Sequence, residues 1–349
     1  MKPDPPDSRI KRPYLIAEAG TGHGGDLARA LELVAAAVGS GADCVKFQHV
    51  YANEIIHPRT GLVPLPGGDT PLYEVFRSLE TGPDFIARLR EETQALGADF
   101  LCSPFGLRSL GELTELGMTR IKIASPELNH LPLLREAASR GVDTILSTGL
   151  SRLGDIEEAL AILGRGKHML LHCVTSYPAP PEEYNLRLVP LYARLFGLPV
   201  GVSDHSLDPE LGSSAVEKHF TLDTSAGGLD DPVALDPAQF SALSRAVDEA
   251  ESLAPEELKI VLYERFGAEQ VEAVLGDGRK RLAPSEADNY GRTQRSIHAL
   301  DAIEAGETLT EEKLAILRTE KILTPGLHPR YMPTILGRTA RTRIESGEG

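Results

Sequence analysis

A strand, a helix and a second strand can be recognised in residues 14–47, which read YLIAEAGTGHGGDLARALELVAAAVGSGADCVKF. The apolar runs at 14–17 and 44–47 are short and are typical of buried strands. Between them, apolar residues from 27 to 38 recur at the spacing of an amphipathic helix. The pattern therefore predicts a βα unit that leads into a second, parallel strand.

The same alternation continues to about residue 253. Eight short apolar runs that we interpret as strands begin at residues 14, 44, 100, 121, 144, 169, 200 and 214. Eight βα units in about 240 residues match a parallel (β/α)8 TIM barrel better than an open doubly wound sheet. The glycines at 20, 22, 24 and 25 lack GxGxxG spacing and a P-loop lysine, so we interpret them as a βα turn that lines the pocket.

The sequence pattern changes on both sides of the predicted barrel. Residues 1–13 form a polar, proline-rich tail, and residues 14–253 form the predicted TIM-barrel catalytic domain. Residues 254–293 are a charged linker, and residues 294–349 contain short apolar runs between Gly, Pro and acidic turns, which predicts a small separate β-rich module. Within the barrel, residues 49–81 exceed a normal connection and form either a lid or a flexible arm, and we favour the lid.

Charge and cysteine usage limit the classes of partner and compartment. The chain has 36 Lys and Arg against 51 Asp and Glu, a net charge of -15, which argues against nonspecific binding to nucleic acid or an anionic membrane but allows a local basic pocket. Cys44, Cys102 and Cys173 lie in separate apolar segments, so we interpret them as buried free thiols. No segment approaches the length of a membrane span. We expect a cytoplasmic protein that acts on a small molecule.

Polar side chains recur where the predicted strands end, and the carboxyl ends of barrel strands converge on one pocket. These residues are Glu18, Lys46, Gln48, Ser103, Lys122, Ser125, Glu127, Ser147, His172, Thr175, Tyr177, Ser203, His205 and His219. A lysine is seldom buried without an anionic partner, so Lys46 and Lys122 require either a carboxylate such as Glu18 or a bound anion. Two lysines with several hydroxyls favour the phosphate and carboxylate of a substrate.

Two runs end in or near histidine: Val202-Ser203-Asp204-His205 and Glu217-Lys218-His219-Phe220. A histidine after an apolar run is more often a hydrogen-bonded structural residue than a metal ligand. Two imidazoles in one pocket can nevertheless hold a divalent ion and leave positions open for substrate and water, which suits Lewis-acid chemistry. We therefore predict that His205 and His219 are metal ligands.

Ordered motifs run through almost the whole chain. They are Ile16-Ala17-Glu18-Ala19-Gly20, Gly41-Ala42-Asp43-Cys44-Val45-Lys46-Phe47-Gln48, Ile121-Lys122-Ile123-Ala124-Ser125, Leu146-Ser147-Thr148-Gly149, Leu171-His172-Cys173, Tyr177-Pro178-Ala179-Pro180, Ser203-Asp204-His205 and Glu217-Lys218-His219-Phe220-Thr221-Leu222-Asp223. Together they resemble the N-acetylneuraminate (sialic acid) synthase family, the nonulosonic acid synthases. The tail from Arg295 to Arg338 resembles the antifreeze-like (SAF, β-clip) domain of that family.

The resemblance implies condensation of phosphoenolpyruvate with an N-acetylmannosamine-type aldose, an N-acetylated hexose, with release of phosphate. It implies Mn²⁺ or Mg²⁺ as the metal of the histidine pair. The residues implied to hold phosphate and carboxylate are Lys46, Ser103, Lys122, Ser125, Ser147 and Ser203. Those implied to face the sugar are Glu18, Gln48, Tyr177 and Asp230.

Three candidate catalytic residues follow from the resemblance: Glu18, Glu127 and Tyr177. The acid and base roles are not divided between the two glutamates at this point. Substrate binding also includes Thr175, which stands where relatives carry Asn or Ser. The family's SAF domain covers the barrel of the other subunit and supplies an arginine, here Arg318, which implies a domain-swapped homodimer.

Local departures leave the substrate open among sialic, legionaminic and pseudaminic types. Gly22-His23-Gly24-Gly25 replaces Asn-His-Asn-Gly, and Arg318-Thr319-Glu320 replaces Arg-Pro-Gly. Residues 207–214 are about seven residues shorter than the family pattern, too short for the helix of a seventh βα unit. Two other functions stay open: another phosphoenolpyruvate-dependent keto-acid phosphate synthase, which leaves the SAF-like tail unexplained, and a non-catalytic sugar-binding homologue, which the short segment would allow.

Overall fold

The computed structural model describes residues 12–65, 68–206, 215–320 and 322–349. The strands in these ranges are β1 (Tyr14–Gly20), β2 (Cys44–His49), β3 (Leu62–Leu65), β4 (Gly68–Pro71), β5 (Asp99–Pro104), β6 (Arg120–Ile123), β7 (Asp143–Ser147), β8 (Met169–Cys173), β9 (Val200–Asp204), β10 (Ala215–His219), β11 (Arg295–Ala299) and β12 (Leu314–Arg318). The α-helices are α1 (Leu27–Gly39), α2 (Ala52–Ile55), α3 (Leu72–Ser78), α4 (Pro83–Ala95), α5 (Leu107–Glu115), α6 (Leu131–Ser139), α7 (Leu153–Leu163), α8 (Leu188–Phe196), α9 (Pro237–Glu251), α10 (Pro255–Phe266), α11 (Ala268–Leu275) and α12 (Met332–Ile335).

Eight parallel strands form a nearly closed barrel. Their order is β5-β2-β1-β10-β9-β8-β7-β6, and the two strands at the ends of this order, β5 and β6, lie against each other. Helices α1, α4, α5, α6, α7 and α8 each connect two successive barrel strands, and α9 follows the last strand. The predicted (β/α)8 TIM barrel followed by a small β-rich SAF domain is confirmed.

The barrel interior is built by period-two alternation along the strands. An apolar layer fills it, made of Ile16, Cys44, Leu101, Ile145, Leu171 and Ala215. Because side chains alternate between the two faces of a strand, the residue two positions further along points to the same interior. This rule puts a polar layer directly above the apolar one, at the carboxyl ends of the strands: Glu18, Lys46, Ser103, Ser147, Cys173 and Glu217.

The insert at residues 49–81 is a folded element. It contains α2, α3 and an antiparallel hairpin of β3 and β4. An apolar cluster of its own holds it beside the barrel mouth, made of Val50, Ile55, Ile56, Val63, Leu72 and Phe105. Its function as a lid stays a prediction.

The connection between β9 and β10 differs from the others. The two strands pair in parallel, with Val202 opposite Val216 and Asp204 opposite Lys218. The residues between them that were expected to be too short for a helix, 207–214, lie outside the described residues, as does most of the predicted N-terminal tail. All other pairs of successive barrel strands are joined through a described helix.

The C-terminal part of the chain returns to the barrel mouth. Helices α10 and α11 precede a segment in which buried Glu286 accepts hydrogen bonds from the backbone N–H groups of Leu150 and Thr175, both at 2.7 Å. Strands β11 and β12 pair antiparallel and share a small core of their own. The three cysteines are free and buried, as predicted. Within the described ranges, none of the helices combines the length and apolar character needed to cross a bilayer.

Candidate active site

Two lysines and two glutamates form a buried ion cluster at the carboxyl end of the barrel, which we call the lysine cluster (Glu18, Lys46, Lys122 and Glu217). Lys46 Nζ lies 2.5 Å from Glu18 Oε2 and 3.5 Å from Glu217 Oε2. Lys122 Nζ lies 3.3 Å from Glu217 Oε1 and donates to Ser147 Oγ at 2.7 Å. The burial of both amines is tolerated because each faces a carboxylate.

Glu217 is the member of this cluster that sequence reasoning missed. Its Oε1 also accepts a hydrogen bond from Ser203 Oγ at 2.8 Å. Burial alone would raise the pKa of Glu217, but Lys122, Lys46 and this hydrogen bond outweigh it and lower the pKa to about 2. Glu217 lies two residues before His219 on β10, so a period-two count from the predicted ligand would have found it.

Glu18, Gln48 and Asp230, all predicted to face the sugar, converge on Gly20. Gln48 Nε2 donates to Glu18 Oε1 at 2.7 Å. A Cβ atom placed on Gly20 would lie 3.3 Å from Gln48 Nε2 and 3.4 Å from the nearest oxygens of Glu18 and Asp230. Gly20 also has a φ of +54°, so both space and backbone favour glycine here. Burial raises the pKa of Glu18 above its ordinary value, against the opposing effect of Lys46.

Hydroxyl groups surround a second close approach, at Gly149. The N–H of Gly149 donates to Ser125 Oγ at 3.1 Å. A Cβ on Gly149 would lie 2.1 Å from Thr175 Oγ1 and 2.8 Å from Ser125 Oγ, so no other residue fits between these hydroxyls. Ser103 Oγ is buried with no hydrogen-bond partner among the residues the structure describes. A buried hydroxyl of this kind carries a desolvation cost that a bound anion would remove.

His205 and His219 lie side by side, with ring centroids 5.4 Å apart. His205 Nδ1 donates to the carbonyl oxygen of Val174 at 2.8 Å, which leaves Nε2 as the nitrogen available to a ligand. His219 Nδ1 lies 3.6 Å from Asp230 Oδ2. The Tyr177 ring stacks on His205 with centroids 4.4 Å apart, and its hydroxyl lies 3.3 Å from His205 Nε2.

Two neighbouring imidazoles are donors of a type that binds divalent metals and leaves coordination positions open for water and substrate. Within the described part of the chain they are not joined by a third His, Cys, Asp or Glu in an arrangement that could hold an ion. Burial lowers the pKa of His219 to about 4, so its ring is neutral at pH 7. Burial also disfavours charge on His205, but Cys173 and the Val174 carbonyl outweigh it and raise the pKa to about 9. Metal binding to His205 would therefore release a proton.

A second buried ion cluster lies where the C-terminal domain meets the barrel, and we call it the arginine cluster (Glu127, Arg295 and Arg318). Arg318 Nη2 donates to both oxygens of Glu127, at 2.8 and 2.9 Å, and Arg295 Nη2 donates to Glu127 Oε1 at 2.6 Å. Arg295 also donates to the carbonyl oxygens of Phe105 and Ile316. Glu127 and Arg318, both predicted site residues, are thus in contact within one chain, and Arg295 was missed.

The chain is similar to known proteins along most of its length. The NeuB family model matches residues 33–259, and the SAF domain model matches residues 294–349. The N,N'-diacetyllegionaminic acid synthase of Campylobacter jejuni is 33% identical, over 97% of this chain and 99% of its own. A pseudaminic acid synthase of Campylobacter jejuni is 30% identical, over 97% of this chain and 95% of its own.

Among solved structures, the spore coat polysaccharide biosynthesis protein SpsE of Bacillus subtilis superposes with a TM-score of 0.80 and 30% identity, covering 98% of this chain and 95% of that one. The NeuB match spans more than half of the chain, and these relatives cover it almost from end to end. The resemblance predicted from the motifs is confirmed. The chain is an enzyme of the transferase type that belongs to the NeuB family of nonulosonic (sialic, legionaminic and pseudaminic) acid synthases and carries a C-terminal SAF domain.

Proposed function

We propose that this enzyme condenses phosphoenolpyruvate with an N-acetylmannosamine-type aldose. A bond forms between C3 of phosphoenolpyruvate and the aldehyde carbon, water adds at C2, and the C–O bond to phosphate breaks. The observation that carries the proposal is the lysine cluster, which holds two buried amines at the carboxyl end of the barrel. The buried hydroxyl of Ser103, in the same polar layer, has no hydrogen-bond partner among the described residues. Such a site suits a small, highly charged anion.

Phosphoenolpyruvate would occupy the space between the lysine cluster and Gly149. The residues we assign to its phosphate and carboxylate are Lys46, Ser103, Lys122, Ser125, Ser147, Thr175 and Ser203. Lys46 and Lys122 both face Glu217 without a ligand. An entering phosphate would exchange one anionic partner of these lysines for another, so the amines would not have to be desolvated anew.

The aldose would lie beside Gly20, against Gln48, Asp230 and the exposed face of Tyr177. Glu18 is our candidate for the group that protonates the aldehyde oxygen, because its raised pKa keeps a proton on it at higher pH than on an ordinary glutamate. Glu127 is the weaker candidate, since two buried guanidinium groups donate hydrogen bonds to it, whereas Glu18 faces a single cation. In our proposal Glu127 instead holds Arg318 at the mouth of the pocket.

His205 and His219 would hold Mn²⁺ or Mg²⁺. Bound there, the ion supplies Lewis-acid polarisation of the aldehyde. The chain's own part is to orient the ligands: the Val174 carbonyl fixes the His205 tautomer, and the Tyr177 ring fixes the plane of His205. The fixed positions of the binding residues would also bring the two hydrated reactants together at low entropic cost.

We also propose a homodimer with exchanged SAF domains. Exchange of an identical element between protomers preserves its contacts. The bonds from Arg295 and Arg318 to Glu127 within one chain are therefore the ones that an exchanged domain would make across subunits. This arrangement would complete each barrel with a residue of the other subunit.

Phosphate release from phosphoenolpyruvate, with the product identified by mass, tests the reaction. The panel is N-acetylmannosamine, diacetamido sugars of the legionaminic and pseudaminic types, and arabinose 5-phosphate. We expect release only with Mn²⁺ or Mg²⁺ and an acetamido sugar, and none from a His205→Ala variant. Release with arabinose 5-phosphate alone would indicate a keto-acid phosphate synthase, and sugar binding without release would indicate a non-catalytic homologue.

A further inference from the structure

Two residues of the histidine-containing motifs have no part in the site described so far. Asp204 precedes His205 at the end of β9, and Lys218 precedes His219 on β10. Because side chains alternate along a strand, Asp204 and Lys218 point away from the barrel interior. Both are nevertheless buried, with exposed side-chain fractions of 1% and 0%.

Asp204 and Lys218 form an ion pair across the two strands. They face each other in the strand register, and Lys218 Nζ lies 2.8 Å from Asp204 Oδ2. The same amine donates to the carbonyl oxygen of Ser206, and Asp204 Oδ1 accepts from the N–H of Ser206 at 2.8 Å. The pair therefore holds the residue on each side of His205 and the residue directly before His219.

Buried Tyr184 extends this network. Its hydroxyl accepts a hydrogen bond from the backbone N–H of His205 at 2.6 Å and is hydrogen-bonded to Asp204. Three successive residues, 204 to 206, are thus fixed by partners outside the site. The backbone of His205 has little freedom to move relative to His219.

We propose that the Asp204–Lys218 pair is a positioning device that sets the spacing of His205 and His219 for a divalent cation. The inference rests on the proposed metal role of the two histidines. A buried ion pair contributes little net stability compared with apolar residues of similar size, and its best attested use is to fix one geometry. Each histidine directly follows one member of the pair along the chain, so the pair is placed to fix both histidines together.

The test compares metal affinity with fold stability in the full chain. The variant is Asp204→Asn/Lys218→Met, which neutralises both partners and so avoids a lone buried charge. Mn²⁺ binding is measured by calorimetry and by the electron paramagnetic resonance of free Mn²⁺, without substrates. We expect the Kd for Mn²⁺ to rise by about tenfold or more, while the Kd for phosphoenolpyruvate without metal changes by less than about threefold.

A control variant neutralises both partners of a pair remote from the site. Glu136→Gln/Arg140→Met removes the exposed pair at the C-terminal end of α6, in which Glu136 Oε1 and Arg140 Nε are 2.7 Å apart. Its Mn²⁺ affinity should equal that of the parent. If the double variant of the proposed pair does not fold, Asp204→Asn alone replaces it, because asparagine keeps the shape of the side chain; weaker Mn²⁺ binding is again expected.

Two outcomes separate this inference from the proposed function. A folded variant at the Asp204–Lys218 pair that binds Mn²⁺ as the parent does, while His205→Ala does not bind it, overturns the inference and leaves the metal assignment intact. A parent protein that binds Mn²⁺ no better than His205→Ala overturns the metal assignment and the inference with it.

Discussion

Glu127 and Glu217 are both buried carboxylates that face two cations, yet their surroundings differ. In the arginine cluster, guanidinium groups donate hydrogen bonds to both oxygens of Glu127, and Arg295 has further backbone carbonyl acceptors. In the lysine cluster, the amines lie 3.3 and 3.5 Å from Glu217, and Glu217 Oε2 has no hydrogen-bond partner among the described residues.

The difference follows from the chemistry of the two cations. A guanidinium group is a planar fork that can satisfy a carboxylate and several carbonyls at once, whereas an ammonium group is a compact charge that accepts a new partner easily. The arginine cluster is complete without a ligand and joins two domains. The lysine cluster has as many carboxyl groups as amines but is incomplete in hydrogen bonding, which suits a site that exchanges anions.

Breaking the lysine cluster should have the largest effect on both stability and activity. Lys122→Met leaves Glu217 with one cation, so the free energy of unfolding should fall by about 3–5 kcal/mol. Loss of a phosphate contact should also lower kcat/KM for phosphoenolpyruvate by about 10³-fold. Urea unfolding and phosphate release measure the two effects. Lys280→Met is the control. Among the described residues, the Lys280 amine donates one long hydrogen bond, to the Thr148 carbonyl at 3.4 Å, so this variant should lose far less stability and far less activity.

Removing Arg295 from the arginine cluster should act mainly on stability. Arg295→Met leaves Arg318 on Glu127, so we expect a loss of about 2–3 kcal/mol in the free energy of unfolding, with the KM for phosphoenolpyruvate unchanged. Arg295→Lys should not rescue the loss, because one ammonium group cannot reproduce the fork. A rise in the KM for phosphoenolpyruvate equal to that of Lys122→Met would contradict the separate roles of the two clusters.

Mixing subunits shows whether the two clusters of one active site come from one chain or two. Arg318→Ala and Lys122→Met are each expected to be poorly active. If SAF domains are exchanged, co-expression produces mixed dimers with one intact site, and about one quarter of parental activity should return. No recovery, with mixed dimers demonstrated by differential tags, would mean that Arg318 serves its own barrel.

The pH dependence of stability probes Glu18 in the lysine cluster. Its pKa is raised in the folded protein, mainly by burial, whereas the unfolded value is about 4.3. The folded state therefore binds more protons than the unfolded state just above pH 4.3, and this contribution to stability is lost as the pH rises through the folded pKa. Glu18→Gln should remove this pH dependence of the free energy of unfolding, which urea unfolding between pH 4 and 8 measures. An unchanged pH dependence would show that Glu18 does not hold its proton.

Ser103→Ala should have the smallest effect, and it should change substrate binding rather than stability. Since the Ser103 hydroxyl has no hydrogen-bond partner among the described residues, its removal should change the free energy of unfolding by less than about 0.5 kcal/mol and raise the KM for phosphoenolpyruvate by about tenfold. Ser109→Ala is the matched control: its hydroxyl accepts from the N–H groups of Phe105 and Gly106 at 3.0 and 3.1 Å. It should lose about 1 kcal/mol of stability with an unchanged KM. Equal effects of both variants on the KM would contradict a ligand role for Ser103.

The strand-end rule found much of the candidate site. Lys46, Ser103, Lys122 and Ser147 were predicted because they lie at the carboxyl ends of predicted strands. The structure places Lys46, Ser103 and Ser147 in the polar layer, and Lys122 donates a hydrogen bond to Ser147 of that layer. Glu217 also obeys this rule and was recoverable from the sequence. Arg295 was not, because its contact with Glu127 joins residues 168 positions apart and depends on how the C-terminal domain packs.

The sequence alone determined the barrel, the order of its strands along the chain and which residues face its interior. It could do so because periods of 2 and 3.6 residues are local properties of a strand and a helix. Only the tertiary structure decided which charges meet: Lys46 and Lys122 with Glu217, Asp204 with Lys218, and two arginines with Glu127. Those pairings depend on strand neighbours and domain packing across long stretches of chain, and a buried charge is stabilised by whichever opposite charge the fold brings within a few ångströms.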